Sequence, residues 1–368
     1  MPVMTYREAL RLALTEEMER DPEVFIIGEE VAQYEGTFRV TEGLLKKFGP
    51  ERVIDTPISE EGFTAVAVGA AMMGLKPVLE FMTINFCIRA LDQIINHAAK
   101  SLYMSGGQFP IPMVVRAPNG KGERLAAQHS HALEAWFMHM PGLKVVLPST
   151  PADARSLLKA AIRDPNPVIF LEHAALYNMK GEVPEAEEVG VIGEAAIRRE
   201  GNDVTLISYS RMANMCLKAA ETLAAEGIDA QVLDLRSLLP MDDHALAASI
   251  AKTHRAVVVN ESSRTGSAAS EIVARINYLA FDELDAPVEI VTGPDVPLPY
   301  ARNLERLWAP DEAAIVEAAK RTVWRRTGGG YAEGGENGKR TIHAGVDDAE
   351  DGRRNGGGHH PALAQERR

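Results

Sequence analysis

Short apolar runs recur along the chain, separated by stretches whose apolar positions repeat with helical spacing. Val24-Phe25-Ile26-Ile27, Pro77-Val78-Leu79-Glu80-Phe81, Met113-Val114-Val115-Arg116, Lys144-Val145-Val146-Leu147 and Val168-Ile169-Phe170-Leu171 show no polar alternation, as strands buried on both faces do. Helices are predicted between them, over 87–100 and 151–163 among others. The second has Thr150 as N-cap, Pro151 at the first helical position and Asp153 in the first turn. Thr5-Tyr6-Arg7-Glu8 reads as a capping box opening a helix with Leu10, Ala13, Leu14 and Met18 on one face. A helix beginning so early leads to the expectation that no signal or transit peptide is present.

After residue 180 the pattern pauses. Residues 181–193, GEVPEAEEVGVIG, are acidic and carry Pro and Gly, the composition of a linker. A second alternating unit follows, with strands predicted at 204–208, 231–235, 256–259 and 288–291 and helices near 211–226, 242–252, 266–279 and 311–325. The expected fold class is therefore α/β, two doubly wound domains with mainly parallel sheets, spanning 1–180 and 194–326. Residues 327–368 hold eleven glycines and only four large apolar residues, so a disordered tail is expected there. Its His359-His360 pair is too little for a metal site.

Charge and cysteine usage narrow the function. A formal net charge of −13 argues against nucleic acid as a partner, since phosphates call for basic patches. No apolar run approaches a membrane span. Cys87 and Cys216 lie far apart without metal-like spacing, which favours a reducing, cytoplasmic setting over a disulfide framework. No GxGxxG follows the first strand, and Gly69–Lys76 lacks the Lys-Ser/Thr ending of a phosphate loop. Within Ile58-Ser59-Glu60-Glu61-Gly62-Phe63, carboxylates precede 62–75, a stretch with no charged side chain. A carboxylate at such a mouth is partly desolvated and suited to proton transfer. The same residues also suit the first turn of a helix, facing its dipole.

Four segments carry a resemblance: Ile27-Gly28-Glu29-Glu30-Val31, Asp55-Thr56-Pro57-Ile58-Ser59-Glu60, Glu80-Phe81-Met82-Thr83 with Asn85-Phe86, and Ala126-Ala127-Gln128-His129-Ser130 ahead of Pro141-Gly142-Leu143-Lys144. In order and spacing they resemble the beta subunits of thiamin-dependent 2-oxoacid dehydrogenases over about residues 4–325. Gly293-Pro294-Asp295-Val296-Pro297-Leu298-Pro299-Tyr300 resembles the closing motif of those subunits. Tyr34-Glu35-Gly36, Phe81-Met82-Thr83 and Tyr103-Met104-Ser105-Gly106-Gly107 favour the pyruvate type over the branched-chain and acetoin types. The family's folds are a transketolase-like pyrimidine-binding domain and a transketolase C-terminal-like domain. A non-catalytic scaffold is the reading from another class, and retention of Glu60 and His129 argues against it.

The resemblance implies an enzyme decarboxylating pyruvate and acetylating lipoamide, active only with an alpha subunit in an alpha2-beta2 tetramer docked on a dihydrolipoyl acetyltransferase core. Thiamin diphosphate would be shared between the chains. The alpha chain would hold the diphosphate and magnesium, which fits the absence of a Gly-Asp-Gly motif here. Glu60 would bond the aminopyrimidine ring, Phe86 would stack on it, and Ile58 and Met82 would line the same pocket. Glu29 would join the proton relay, although a strand-end acid can be purely structural. His129 would meet the oxoacid or the acyl group. Met113, Ala161, Ile162, Asp164 and Asn166 would hold a structural potassium ion, where Asp164-Pro165-Asn166-Pro167 is otherwise an ordinary turn. Two departures from the family pattern stand near these residues: Glu61, and Lys121-Gly122-Glu123-Arg124 in place of a small-residue stretch.

Overall fold

The computed structural model describes residues 1–324, and the glycine-rich tail lies outside them. The first half contributes β1 (Val3–Thr5), β2 (Val24–Gly28), β3 (Val53–Asp55), β4 (Lys76–Glu80), β5 (Val114–Pro118), β6 (Lys144–Val146), β7 (Val168–Glu172) and β8 (Lys180–Glu182). The second contributes β9 (Ala196–Arg199), β10 (Val204–Ser208), β11 (Ala230–Asp234), β12 (Ser237–Leu239), β13 (Ala256–Ser263) and β14 (Glu289–Gly293). They form a seven-stranded sheet ordered β12-β6-β7-β5-β4-β2-β3 and a five-stranded sheet ordered β14-β13-β10-β11-β9. All neighbours are parallel except the edge strands β12 and β9. An antiparallel pair, β1 with β8, closes the first half.

Every residue of β2, β7, β10 and β11 is buried, as uninterrupted apolar runs require of a sheet covered on both faces. Successive side chains point to opposite faces. Val24, Ile26, Val78, Val168 and Phe170 therefore pack under helices Tyr6–Arg20 and Pro151–Arg163. Ile27, Leu79, Val115, Ile169 and Leu171 face the other way, into a core that also takes Ile207, Leu233 and Val258 of the second sheet. The two halves share this central core. A third cluster seals the far face of the second sheet beneath helices Ser210–Ala225 and Glu312–Trp324.

Local signals set the helix ends. Thr5 Oγ1 accepts the Glu8 N–H, and the Glu8 carboxylate accepts the Thr5 N–H at 2.7 Å, completing the capping box. Thr150 caps its helix through the Asp153 N–H.

One predicted helix begins later than expected and is not a regular α-helix. The stretch 87–100 is instead a 3-10 turn over Ile84–Ala90, a π-helical segment over Gln93–Ala98 and a short α-helix over Ala99–Met104. Ile84, Cys87, Ala90, Ile94 and Ala98 are buried along it. That mixture of three- and four-residue steps is also the spacing of an α-helical face, so the apolar pattern does not signal the change of helix type.

Under the carboxyl ends of three adjacent strands lies a buried ionic cluster. Arg116 of β5 bonds both oxygens of Glu172 at the end of β7, at 2.7 and 2.8 Å, and pairs with Glu80 at the end of β4. Tyr177 donates its hydroxyl to Glu172 at 2.6 Å. Burial pushes the Glu80 carboxyl up, and Arg116 opposes it. Replacing Arg116 by Met would leave two carboxylates buried without a countercharge. Arg116→Met is expected to cost about 3–5 kcal/mol in urea unfolding, and a loss under roughly 1 kcal/mol would show that the cluster is not a structural tie.

Candidate active site

Two carboxylates meet behind the carboxyl end of β2. Gly28 ends that strand, and a Cβ there would stand 2.5 Å from the Glu80 carbonyl oxygen, so only glycine lets β2 lie this close to β4. Glu29 follows and is buried. The Ser59 N–H donates to its carboxylate, but Oε1 has no partner. Its pKa is raised, by burial first and by the neighbouring Glu60 charge second, against the Ser59 bond. Glu60 opens helix Glu60–Met72 and is only 6% exposed, while Glu61 beside it faces solvent. Arg89 Nε lies 3.5 Å from Glu60 Oε2. The first turn of the helix is thus the place of Glu60, as its acidic pattern allows, and a functional cleft is its environment.

That cleft has a volume of 930 Å³, with Glu60, Ile58, Phe86, Arg89 and Gln93 on its walls. Ile58 is 84% exposed, an apolar side chain in want of a cover. Phe86 leaves the 3-10 turn after β4 and also forms a wall of a second cavity, of 820 Å³, which holds Met82 and His129. Ile58 and Met82 therefore line adjoining cavities and not a single one, with the Phe86 ring as partition. His129 sits in the 3-10 turn Ala127–His129, its ring edge-on to Phe86 at 5.5 Å between centroids.

The loop carrying His129 is held from two sides. Asn85 Nδ2 meets His131 Nδ1 at 2.7 Å, tying the loop to the turn that bears Phe86. Buried Glu305 of helix Arg302–Trp308 accepts the Arg124 N–H at 2.8 Å and lies 3.9 Å from Lys121 Nζ. Arg124 and Ala126 take positive φ, +57° and +59°, a conformation that costs non-glycine residues energy and persists where surroundings enforce it. The unusual Lys121–Arg124 stretch is thus accommodated through Glu305.

Of the five residues of the expected cation site, Ala161, Asp164 and Asn166 are linked directly to one another. Asp164 caps helix Pro151–Arg163 and its N–H returns to the Ala161 carbonyl. Asn166 donates its backbone and side-chain N–H to Asp164 Oδ1 at 2.9 and 3.0 Å. The Met113 carbonyl accepts from Val168, one strand over. Lys144 already pairs with Asp164 Oδ2, so an ion here would rely on carbonyl oxygens and share that carboxylate.

Residues 3–180 match the transketolase pyrimidine-binding domain and 193–315 the transketolase C-terminal domain. The chain is 53% identical over 326 residues to a pyruvate dehydrogenase E1 component subunit beta of Rhizobium meliloti, covering 88% of this chain and 71% of that one. It is 50% identical to the subunit of that name from Rickettsia felis, covering 87% and 98%. The chain belongs to the pyruvate dehydrogenase E1 beta subunit family. Its fold is also similar to a solved split-gene transketolase, described as an inactive beta4 tetramer, with a TM-score of 0.71 at 25% identity over 87% of this chain and 98% of that one.

Membership in the E1 beta family makes the chain part of a thiamin-dependent oxidoreductase. The cleft fits the ring of thiamin diphosphate. The Glu60 carboxylate is an acceptor on the cleft wall for a nitrogen-rich ring, Phe86 and Ile58 offer it apolar faces, and Glu29, with an unpartnered oxygen, is buried beside Glu60. Sequence reasoning missed Arg89, Asn85 and Glu305. The first is a single exposed charge, and the other two act through partners remote in sequence. The buried pair also yields a stability test. A folded-state pKa raised above the unfolded value makes the Glu29 anion destabilising at neutral pH, and the penalty disappears once pH falls below the unfolded carboxylate range. Glu29→Gln is expected to melt higher than the native chain at pH 7, with the difference closing near pH 4. An equal or lower melting temperature at pH 7 would contradict a charged, desolvated Glu29.

Proposed function

We propose that the chain is the beta half of a pyruvate dehydrogenase, working with an alpha subunit in an alpha2-beta2 tetramer on a dihydrolipoyl acetyltransferase core, in the cytoplasm. The observation that carries this reading is Glu60 sharing a cleft with Phe86, with buried Glu29 as its neighbour, in a member of the E1 beta family. Bound thiamin diphosphate supplies an electron sink for loss of carbon dioxide from a 2-oxoacid. Glu60 holds and returns the proton at the aminopyrimidine ring, Glu29 supports it from behind, and Phe86 and Ile58 orient the ring, with Met82 behind the partition. His129, across the Phe86 ring, serves the substrate side, where an imidazole suits the oxoacid carboxylate or the acyl transfer. The sequence has no Gly-Asp-Gly, which supports assigning the diphosphate and magnesium to the alpha chain. The linkage of Ala161, Asp164 and Asn166 supports a bracing potassium ion held with Met113 and Ile162.

Mixed with its alpha partner, thiamin diphosphate and magnesium, the chain is expected to drive pyruvate-dependent reduction of an artificial acceptor. Alone it is expected to do nothing, and full activity alone would refute a shared site. Glu60→Gln should keep cofactor binding but slow deuterium exchange at the thiazolium carbon by roughly a hundredfold or more. His129→Ala should leave that exchange nearly intact and impair turnover. Wild-type exchange in Glu60→Gln would remove Glu60 from the proton path.

A further inference from the structure

The cavity beside His129 has a sign opposite to that of the molecule. In a chain of net charge −13, its walls carry Arg7, Lys121, Arg211, Arg302 and Arg306 against two carboxylates, Glu123 and Glu305. Two of these cations are already committed. Lys121 faces Glu305, and Arg211 pairs with buried Glu261. Glu261 also accepts from His173, whose Nδ1 takes the Ala175 N–H and so leaves Nε2 as the donor, at 2.7 Å. The other three are uncompensated. The guanidinium groups of Arg302 and Arg306 make no hydrogen bond or ion pair with a described residue, and that of Arg7 bonds only the amide oxygen of Asn178, at 2.6 Å.

Position adds to charge. The cavity opens over the carboxyl ends of β4, β5 and β7, through Met82, Lys121 and His173, where ligands of parallel α/β sheets gather. Concave walls of low dielectric focus the field of uncompensated cations and concentrate anions, and a guanidinium fork matches a carboxylate with two parallel bonds. Phe86 stands on the walls of both this space and the Glu60 cleft.

We propose that this cavity is a carboxylate-binding antechamber, in which Arg302, Arg306 and Arg7 draw in and hold the 2-oxoacid anion before it passes Phe86. The assignment rests on the proposed function for the identity of the anion, while the site itself rests on the charge and shape of the cavity. Arg302 and Arg306 are exposed, so their replacement leaves the core intact.

The test uses Arg302→Gln/Arg306→Gln in the full chain, alone and assembled with its alpha partner. At low ionic strength the KM for pyruvate is expected to rise roughly tenfold, with a far smaller change in kcat, and the difference should collapse in high salt. Inorganic phosphate should compete with pyruvate in the native assembly and lose that competition in the variant. It should also raise the melting temperature of the native chain alone, and not that of the variant. Native-like KM and salt dependence in the variant, or an undiminished phosphate shift, would overturn the site. If the native assembly does not turn over pyruvate, the proposed function fails; a phosphate shift lost in the variant would still establish the anion site.

Discussion

The Arg116 guanidinium is the tie on which the site depends. It spans the ends of β4, β5 and β7, and each of these strands releases one wall of the paired cavities immediately afterwards. Glu80 is followed by Met82 and Phe86, Arg116 by the loop bearing Lys121 and His129, and Glu172 by His173. Fixing three carboxyl and guanidinium groups to one another fixes the starting points of those loops. A buried ion pair is a poor source of stability when compared with apolar packing. Its value here is geometric, because directional bonds hold strand ends in register where apolar contacts would let them slide.

Much of the fold was legible because parallel strands covered on both faces cannot hide their composition. The runs at Val24, Val78, Val114, Val145 and Val168 all lie in the first sheet, and the capping box at Thr5 forms as written. Short edge elements were not legible. β12 is three residues long and β9 four, and their pairing depends on partners far away in sequence. The 3-10 and π segments after β4 were missed for another reason. Their buried positions keep the three- and four-residue steps of an α-helical face, so the sequence pattern is the same for either kind of helix.

The site was legible in part. Glu60 announced itself by preceding an uncharged stretch, and Glu29 by following a strand. Phe86 and Met82 would pass as core residues without the resemblance that singled them out. Glu305 is another matter: a lone carboxylate in a short helix, its role becomes visible only once the backbone of Arg124 is seen to donate to it. Charge balance along the sequence hid the cationic cavity as well, since its arginines and lysine come from four separate segments of an acidic chain.

β12 belongs by sequence to the second half, yet it pairs with β6 at the margin of the first sheet, and Leu147 donates to Arg236 beside it at 2.7 Å. During synthesis the first sheet therefore remains unfinished until Leu239 has left the ribosome. Until then β6 presents a bare edge of backbone N–H and C=O groups, alongside the apolar face that Ile207, Leu233 and Val258 will cover. A nascent chain in that condition is a template for pairing with its neighbours on the same message.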